Sequence, residues 1–584
     1  MVKRSWCLLL ALVFSGVVSG ALAGEEVDLH WGVKIPMRDG VQLQATLYTP
    51  KDQAKPAPCV FTLTPYIAQS YHDRGMYFAA HGYPFLTIDV RGRGNSQGQF
   101  RPLIQEGHDG YDIVEWLARQ PYCNGKVAMW GGSYAGYDQW VTASQMPPHL
   151  STIVPAAAPY AGVDFPFSGG VFYTYDVQWL EFVNGHAAQI NLFGDDSFWK
   201  SYFKRWLESG EPYNGLGAVL GDTASIFQEW VAHPDQGAYW DQYNPTAEQY
   251  AKLTLPILTI TGSYDDDQPG ALEHYRQYMR NASAESKARH YLVIGPWDHA
   301  GTRTPNAQVG GLTFGPASLV DLPKLHLEWY AWTMQDGPKP AFLEKPVAYY
   351  VMQADRWRYA DTLEAVTAEQ RTYHLDSRQN ATDMLAAGSL QLEAAGGAPD
   401  HFVSDPRDTS LAQVEYGADP NSLTDQRLVY AQRGHELVYH TAPFEKDTEV
   451  TGFFKLSAWI AIDQPDMDLQ VHVYEIGADG SSTVLSSDLI RARYRESLRE
   501  PKLVQTKGAL RYDFEHFRFV SRLVRKGCRL RLVIAPINSI YEEKNYNSGG
   551  VVAGETMRDA RVVNVTLFHD RGHQSVLVVP VGRP

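Results

Sequence analysis

Residues 126–137 read KVAMWGGSYAGY, and this stretch decides how the chain is interpreted. An apolar run stops at two glycines, and Ser133 follows directly before a predicted helix. A serine on a sharp turn between a strand and a helix needs small neighbours, because the two elements approach closely there. Gly131 and Gly136 flank Ser133, and Ala135 takes the second glycine position of the usual Gly-x-Ser-x-Gly. The stretch predicts a nucleophile elbow; a glycine-rich turn in an ordinary α/β protein is the alternative interpretation.

The composition is that of a globular protein with more than one domain. The chain has 584 residues, of which 44% are hydrophobic and 20% charged, so we expect two or three domains. Residues 1–23 predict a signal peptide, with a basic start, an apolar run and an Ala-Leu-Ala cleavage site. We therefore expect a secreted or periplasmic protein without a membrane association after cleavage. A retained membrane anchor is the alternative interpretation of this segment.

Charge and cysteine content narrow the possible partners. The formal net charge of −15 argues against a nucleic-acid partner. Cys59, Cys123 and Cys528 include no Cys-x-x-Cys pair, so neither a zinc ribbon nor a redox motif is predicted. Either two of these cysteines form a disulfide and the third is a free thiol, or all three are buried free thiols. The sequence leaves both arrangements open. We predict no cofactor. No metal is predicted either: the aspartates at 265–267 could begin a calcium-binding loop, but Arg276 stands at the position where that loop would need glutamate.

The first half alternates between strands and helices. A helix is predicted for residues 106–120, and the predicted strands are residues 41–48, 59–63, 84–89, 127–130 and 152–158. This alternation indicates a parallel sheet covered by helices. Active sites in such sheets lie at the carboxyl ends of the strands. We therefore expect Ser133, Tyr66 and the loop at residues 91–98 to lie on one edge.

Residues 162–250 are rich in aromatic side chains, and their periodicity is helical. We predict a helical cap over the edge of the sheet. Its rings, Trp179 among them, could form an apolar wall for an acyl or aryl group. Most of these rings are expected to form the core of the cap itself.

Two late strands, predicted for residues 255–260 and 291–294, each end in a loop with polar chemistry. Asp265 follows the first and His299 follows the second, which gives the chain order Ser, Asp, His of α/β-hydrolases. A serine hydroxyl needs a base to become a nucleophile, and the base needs a carboxylate to orient it. We assign Ser133 as nucleophile, His299 as base and Asp265 as orienting acid. Asp266 and Asp267 remain alternatives for the acid, and the competing histidines His233, His274 and His290 are less well placed.

Two donors are predicted for the oxyanion of the tetrahedral intermediate. The backbone N–H of Tyr134 follows the nucleophile, and the phenol of Tyr66 follows an early strand. Tyr66 as a purely structural aromatic is the alternative interpretation.

From residue 346 the chain is rich in strands, which predicts a β-sandwich. The predicted fold class is α/β. It consists of a hydrolase core at residues 24–161 and 251–345, a helical cap at residues 162–250, and a C-terminal sandwich at residues 346–584.

The chain resembles the CocE/NonD hydrolases, which include cocaine esterases, α-amino acid ester hydrolases and X-prolyl dipeptidyl-peptidases. The resemblance rests on five segments: 64–66 (TPY), 89–98 (DVRGRGNSQG), 131–136 (GGSYAG), 262–265 (GSYD) and 295–299 (GPWDH). In that family the glycine comes three residues after the serine, as Gly136 does here. The resemblance implies that Ser133, Asp265 and His299 form a triad. It also implies an oxyanion hole of Tyr66 and the Tyr134 N–H, and a jelly roll for the sandwich.

The family also suggests what the substrate is. α-Amino acid ester hydrolases hold the substrate ammonium with three carboxylates, at positions where this chain has Asp267, Gln268 and residues 168–170 (SGG). At most one of the three carboxylates, Asp267, is matched. We expect a serine hydrolase of small esters, amides or short peptides, with Asp267 and Trp179 as substrate contacts. An X-Pro dipeptidyl-peptidase or an α-amino acid ester hydrolase or acylase is the alternative, and a catalytically silent binding protein is the rival from another class. A homo-oligomer is compatible with the sequence.

Overall fold

The computed structural model describes residues 26–394 and 396–583. The predicted signal peptide, residues 1–23, lies outside the described residues. Within the described ranges, no helix is both long and apolar enough to cross a bilayer. Cys59, Cys123 and Cys528 are all free thiols. Of the two arrangements that the sequence leaves open, the structure therefore has the one without a disulfide among these three residues.

The first sheet is the α/β core. Its ten strands are β1 (Val27–Pro36), β2 (Gln42–Pro50), β3 (Ala57–Thr64), β4 (Phe85–Asp89), β5 (Cys123–Gly132), β6 (Leu150–Ala156), β7 (Ile257–Tyr264), β8 (His290–Asp298), β9 (Val347–Val351) and β10 (Arg356–Ala360). Their spatial order is β1-β2-β4-β3-β5-β6-β7-β8-β9-β10. Strands β3 to β9 pair in parallel, and β1, β2 and β10 add antiparallel pairings at the two edges.

Helices cover both faces of this sheet and form the cap above its edge. The α-helices of the described residues are α1 (His72–Ala80), α2 (Glu106–Leu117), α3 (Tyr134–Ser144), α4 (Tyr175–Phe182), α5 (Ile190–Phe193), α6 (Asp196–Ser209), α7 (Ala224–Val231), α8 (Ala238–Asp241), α9 (Ala247–Lys252), α10 (Gln268–Asn281), α11 (Ala284–Lys287), α12 (Leu322–Met334), α13 (Leu411–Tyr416) and α14 (Arg427–Ala431). Helices α2, α3 and α10 contribute to one apolar cluster, and α1 and α12 contribute to another. Strands buried on both faces are typical of parallel sheets.

The predicted order of strands and helices in the first half is confirmed, with bounds that differ by a few residues. The helix predicted for residues 106–120 is α2, and the helix-rich region predicted for residues 162–250 contains α4 to α9. The sequence analysis did not identify β1, α1 or α12. The edge strand β1 follows directly on a polar stretch, and only part of it is buried.

The boundary predicted at residues 345 and 346 is wrong with respect to the sheets. Strands β9 and β10 lie beyond residue 346, yet they belong to the core sheet, since β9 pairs in parallel with β8. All five residues of β9 are buried. A short, fully apolar run has no alternation that could assign it to a parallel sheet rather than a sandwich. The core therefore extends to Ala360.

The second sheet system forms the predicted sandwich. Its strands are β11 (Thr367–Asp376), β12 (Gly388–Gln391), β13 (Asp400–Ser404), β14 (Leu437–Thr441), β15 (Thr448–Gly452), β16 (Lys455–Ile462), β17 (Asp468–Ile476), β18 (Ser482–Arg491), β19 (Leu510–Phe514), β20 (Val520–Val524), β21 (Arg529–Pro536), β22 (Val563–Phe568) and β23 (Val576–Gly582). The main path runs β13-β22-β16-β23-β11-β12-β14-β21-β17-β18, while β15 and β20 pair beside it and β19 pairs with β16. A large apolar cluster fills the interior of this domain.

The turn between β5 and α3 has the geometry of the predicted elbow. Ser133 has φ 62° and ψ −130°, which lies in the left-handed region that non-glycine residues rarely adopt. A Cβ on Gly131 would lie 2.6 Å from the Cβ of Ala135, and a Cβ on Gly136 would lie 2.4 Å from the carbonyl oxygen of Ala156. The two glycines are therefore required by close packing around the serine.

We expect Gly136→Ala to lower the free energy of unfolding by about 1–3 kcal/mol, because the added methyl group overpacks the contact with β6. Gly554→Ala is the matched control, since a Cβ there meets nothing within 4 Å. The control should change stability by less than about 0.5 kcal/mol. Urea denaturation of both variants measures the difference, and equal stabilities would show that the close approach at residue 136 is not constraining.

Candidate active site

A cavity of about 410 Å³ opens at the carboxyl edge of the core sheet, and we call it the catalytic cavity. Tyr66 reaches it from the segment after β3 and Ser133 from the segment after β5. Asp266 and Asp267 follow β7, and His299 follows β8. The structure therefore brings the sequence-predicted residues to one edge of the sheet, as parallel strand ends dictate.

Asp265 is the aspartate that contacts His299. Its Oδ1 lies 2.8 Å from the histidine Nδ1, and its Oδ2 accepts a 2.8 Å hydrogen bond from Thr261 Oγ1. Burial alone would raise the pKa of Asp265, but the contact with His299 and the bond from Thr261 hold it below the usual value. The nearest oxygen of Asp267 is 3.7 Å from His299 Nδ1, and Asp266 instead lies 3.2 Å from the guanidinium of Arg518.

The competing histidines have other surroundings. His274 is fully buried in α10, where its ring bonds to the hydroxyl of Tyr250 and the carbonyl of Pro159. His290 is fully buried at the start of β8. Burial lowers the pKa of both imidazoles to about 3. His233 bonds to the carbonyl of Glu229 in the cap, so none of the three competes for the site.

Tyr66 lies beside the serine. Its hydroxyl accepts a 3.1 Å hydrogen bond from Trp179 Nε1, and both Tyr66 and Ser133 line the catalytic cavity. Its ring stacks on Phe182 at a centroid distance of 5.2 Å. Burial raises the pKa of Tyr66 above its usual value, so the phenol keeps its proton at neutral pH. Because the Trp179 bond uses an acceptor position, the phenolic proton stays free to be donated.

Tyr134 begins α3, and the first backbone N–H groups of a helix have no partner within the helix. Its side chain is held from two directions. The hydroxyl accepts a 2.7 Å bond from the Leu103 N–H and donates to the carboxyl of Glu106. Its ring stacks on Trp179 at 6.0 Å. Trp179, predicted as a substrate contact, therefore lines the cavity and also holds both tyrosines.

Carboxyl groups outnumber cations in the catalytic cavity. Asp164, Asp266, Asp267 and Glu542 line it together with a single guanidinium, Arg518. Burial raises the pKa of Asp164 to about 7 and raises that of Asp267 well above its usual value; nearby carboxylates add to both shifts.

Sequence analysis did not identify Asp164, Arg518 or Glu542. Arg518 and Glu542 come from the sandwich domain, and no local pattern links either of them to the serine. Conversely, Gln268 is not among the residues that line this cavity, and its amide bonds reciprocally to the backbone of Phe519.

Within the part of the chain that the structure describes, no group of three or more His, Cys, Asp or Glu side chains is arranged to hold a metal ion.

A parallel sheet with a serine on a left-handed turn, next to a histidine bonded to a buried aspartate, defines a serine hydrolase of the α/β-hydrolase class. The family model of the X-Pro dipeptidyl-peptidase (S15 family) matches residues 39–301. The model of the X-Pro dipeptidyl-peptidase C-terminal non-catalytic domain matches residues 341–564. The chain belongs to the CocE/NonD family of serine hydrolases.

Individual relatives agree with this assignment over most of their length. Cocaine esterase from Rhodococcus sp. is 26% identical, with 94% of this chain and 98% of the esterase covered. A putative serine esterase of Mycobacterium bovis is 22% identical, with 79% and 80% covered.

Solved structures show the same fold. An aminopeptidase from a marine sediment Thaumarchaeota archaeon superposes with a TM-score of 0.81 at 22% identity, over 96% of this chain and 97% of its own. An α-amino acid ester hydrolase superposes with a TM-score of 0.80 at 21% identity, over 98% and 100%. The predicted fold class, family and serine hydrolase function are confirmed.

We expect Tyr66→Phe to lower kcat by about 10²–10³-fold on an ester substrate, because the substitution removes one oxyanion donor. KM should change little, since the donor acts mainly on the transition state. Tyr541→Phe is the matched control, because Tyr541 lines the same cavity and its hydroxyl has no hydrogen-bond partner among the described residues. Steady-state kinetics of both variants decide the point, and equal rates for Tyr66→Phe and wild type would assign Tyr66 a structural role.

Proposed function

We propose that this protein hydrolyses carboxylic esters or amides through an acyl-enzyme on Ser133, with His299 as general base and Asp265 as its orienting acid. The observation that carries the proposal is the His299–Asp265 contact of 2.8 Å beside a serine at φ 62°. His299 and Ser133 line the same cavity.

The contact of His299 Nδ1 with Asp265 supports Nε2 as the nitrogen that acts on the serine. An ionised Asp265 accepts the Nδ1 proton, which leaves the Nε2 lone pair for the serine hydroxyl. Ser133 Oγ attacks the carbonyl carbon, and its proton passes to Nε2. The oxyanion then accepts bonds from the Tyr134 N–H and the Tyr66 hydroxyl. His299 returns the proton to the leaving group, and a water molecule activated in the same way releases the acid.

Hydrolysis of a substrate panel by wild type and Ser133→Ala tests this proposal. The panel contains p-nitrophenyl esters of short acids, phenylglycine methyl ester, a β-lactam side-chain amide and Gly-Pro-p-nitroanilide. We expect wild type to hydrolyse the esters and Ser133→Ala to lose about 10⁴-fold or more in kcat, because a triad without its nucleophile retains little activity. Ester hydrolysis that persists in Ser133→Ala would contradict the assignment of Ser133.

A second candidate function is the preferential hydrolysis of substrates whose acyl group carries a free amino group, such as α-amino acid esters or X-Pro peptides. The excess of carboxyl groups over cations in the catalytic cavity favours this second function. Asp266 lies 3.2 Å from the guanidinium of Arg518, whereas Asp164, Asp267 and Glu542 have no salt bridge to Lys or Arg in the described residues. Buried carboxyl groups without a lysine or arginine partner favour a ligand that brings a positive charge.

Asp267→Asn tests this second candidate. We expect kcat/KM for phenylglycine methyl ester to fall about tenfold or more, because a charge-assisted contact to the ammonium is lost. The ester without the amino group, methyl phenylacetate, is the matched control substrate, and its kcat/KM should change by less than about twofold. Losses of equal size for both esters would mean that Asp267 acts on His299 rather than on the substrate.

A further inference from the structure

A second cavity, of about 260 Å³, lies next to the catalytic cavity, and we call it the lateral chamber. Pro420, Tyr541 and Glu542 line both cavities, so the two cavities adjoin at these three residues. The other walls come from α13 and α14 and from strands β17 and β21 of the sandwich. The chamber is therefore built by the sandwich domain but adjoins the site of the serine.

The charged residues that line the lateral chamber are all acidic. They are Glu415, Asp419, Asp425, Glu436 and Glu542. Asp425 is paired with Arg427 at 2.5 Å, and Glu415 accepts a 2.9 Å bond from the backbone N–H of Ile540. Burial raises the pKa of both Glu415 and Glu436 to about 8, and the nearby cations, Lys544 for Glu415 and Arg531 for Glu436, oppose only part of this shift.

Glu436 is the unusual member of this set. The residue is only 1% exposed, and among the described residues neither of its carboxyl oxygens has a hydrogen-bond partner. The guanidinium of Arg531 is near enough to oppose part of the pKa shift of Glu436, but its hydrogen bonds go to Gln426 at 3.0 Å and to His440 at 2.9 Å. A buried carboxyl group without a partner is costly. Its position on the chamber wall therefore indicates a ligand that completes it.

The rest of the wall narrows the chemistry of that ligand. The chamber includes an apolar surface formed by Leu411, Leu428, Val429, Val533 and Ala535. The described carboxylates do not converge in a group of three that could hold a metal ion. A methylene chain that ends in a positive group suits both features, because such a chain packs on apolar surface while its head pairs with a carboxylate.

We propose that the lateral chamber binds an organic cation, an ammonium or guanidinium group at the end of a methylene chain, against Glu436. The cation arrives as the far end of an acyl group whose carbonyl is at Ser133, or as a separate amine. The first source rests on the proposed function, whereas the second does not.

Two matched esters test the first source. In p-nitrophenyl 6-aminohexanoate an ammonium group replaces the terminal methyl group of p-nitrophenyl heptanoate. We expect Glu436→Gln to lower kcat/KM for the amino ester about tenfold and to leave the heptanoate ester within about twofold. Asp405→Asn is the control variant, because Asp405 lines neither cavity and its carboxylate pairs with Arg407 at 2.8 Å, and the ratio of the two esters should stay as in wild type.

Calorimetry with n-butylammonium tests the second source without any need for turnover. We expect saturable binding to Ser133→Ala and binding about tenfold weaker in the double variant Ser133→Ala/Glu436→Gln. If Glu436→Gln weakens the binding of n-butylammonium but leaves the kcat/KM ratio of the two esters unchanged, the result supports a cation site in the lateral chamber. It then identifies a separate amine, rather than the end of an acyl group, as the ligand. Absence of both effects overturns the proposal.

Competition kinetics in wild type keep the test independent of variant folding. We expect n-butylammonium to inhibit hydrolysis of the amino ester more strongly than that of the heptanoate ester. Equal inhibition of both esters contradicts a site for the distal cation. A wild type that hydrolyses neither ester contradicts the proposed function, and the calorimetry still decides about the chamber.

Discussion

The left-handed backbone of Ser133 is the constraint on which the rest of the site depends. A residue with a side chain pays an energetic cost at φ 62°, and the surrounding packing must impose that conformation. The packing consists of the close approach of α3 to β5 and β6, which leaves no space for a Cβ at Gly131 or Gly136. The same turn points the serine hydroxyl away from the sheet and places the Tyr134 N–H at the start of a helix. The nucleophile and one oxyanion donor thus result from a single local geometry.

Those parts of the structure that depend on local geometry were predictable from the sequence. Parallel strands end at one edge, so Tyr66, Ser133, Asp265 and His299 could be brought together from strand positions and chain order alone. The choice among three consecutive aspartates followed from distance to the strand end, and the 2.8 Å contact of Asp265 with His299 agrees with it. Strand β9 could not be assigned, because a fully apolar run carries no information about which sheet receives it.

The charged lining of the cavity depends instead on how the sandwich packs on the core. Arg518 reaches the catalytic cavity because the neighbouring residue, Phe519, is tied to α10 by two hydrogen bonds with the Gln268 amide, of 3.1 and 2.6 Å. Glu542 reaches it because its segment pairs with the cap, where Thr174 N–H donates to Tyr541 carbonyl at 2.9 Å. Gln268 thus joins two domains at a position where the family resemblance suggests a substrate contact. Contacts of this kind join distant parts of the chain, and no local sequence pattern predicts them.

In the proposed function, the core carries out bond cleavage, whereas the cap and the sandwich determine substrate choice. The core supplies a serine, a histidine and an ionised aspartate, whose arrangement is indifferent to the far end of the acyl group. The cap and sandwich surround that far end with carboxyl groups such as Asp164 and Glu542, whose pKa values burial raises. A group held protonated by burial becomes an anion when a cation approaches, because the added charge offsets the cost of desolvation. If the cavity selects charged substrates as proposed, groups that take no part in bond cleavage recognise the substrate charge, so specificity can change while the triad stays the same.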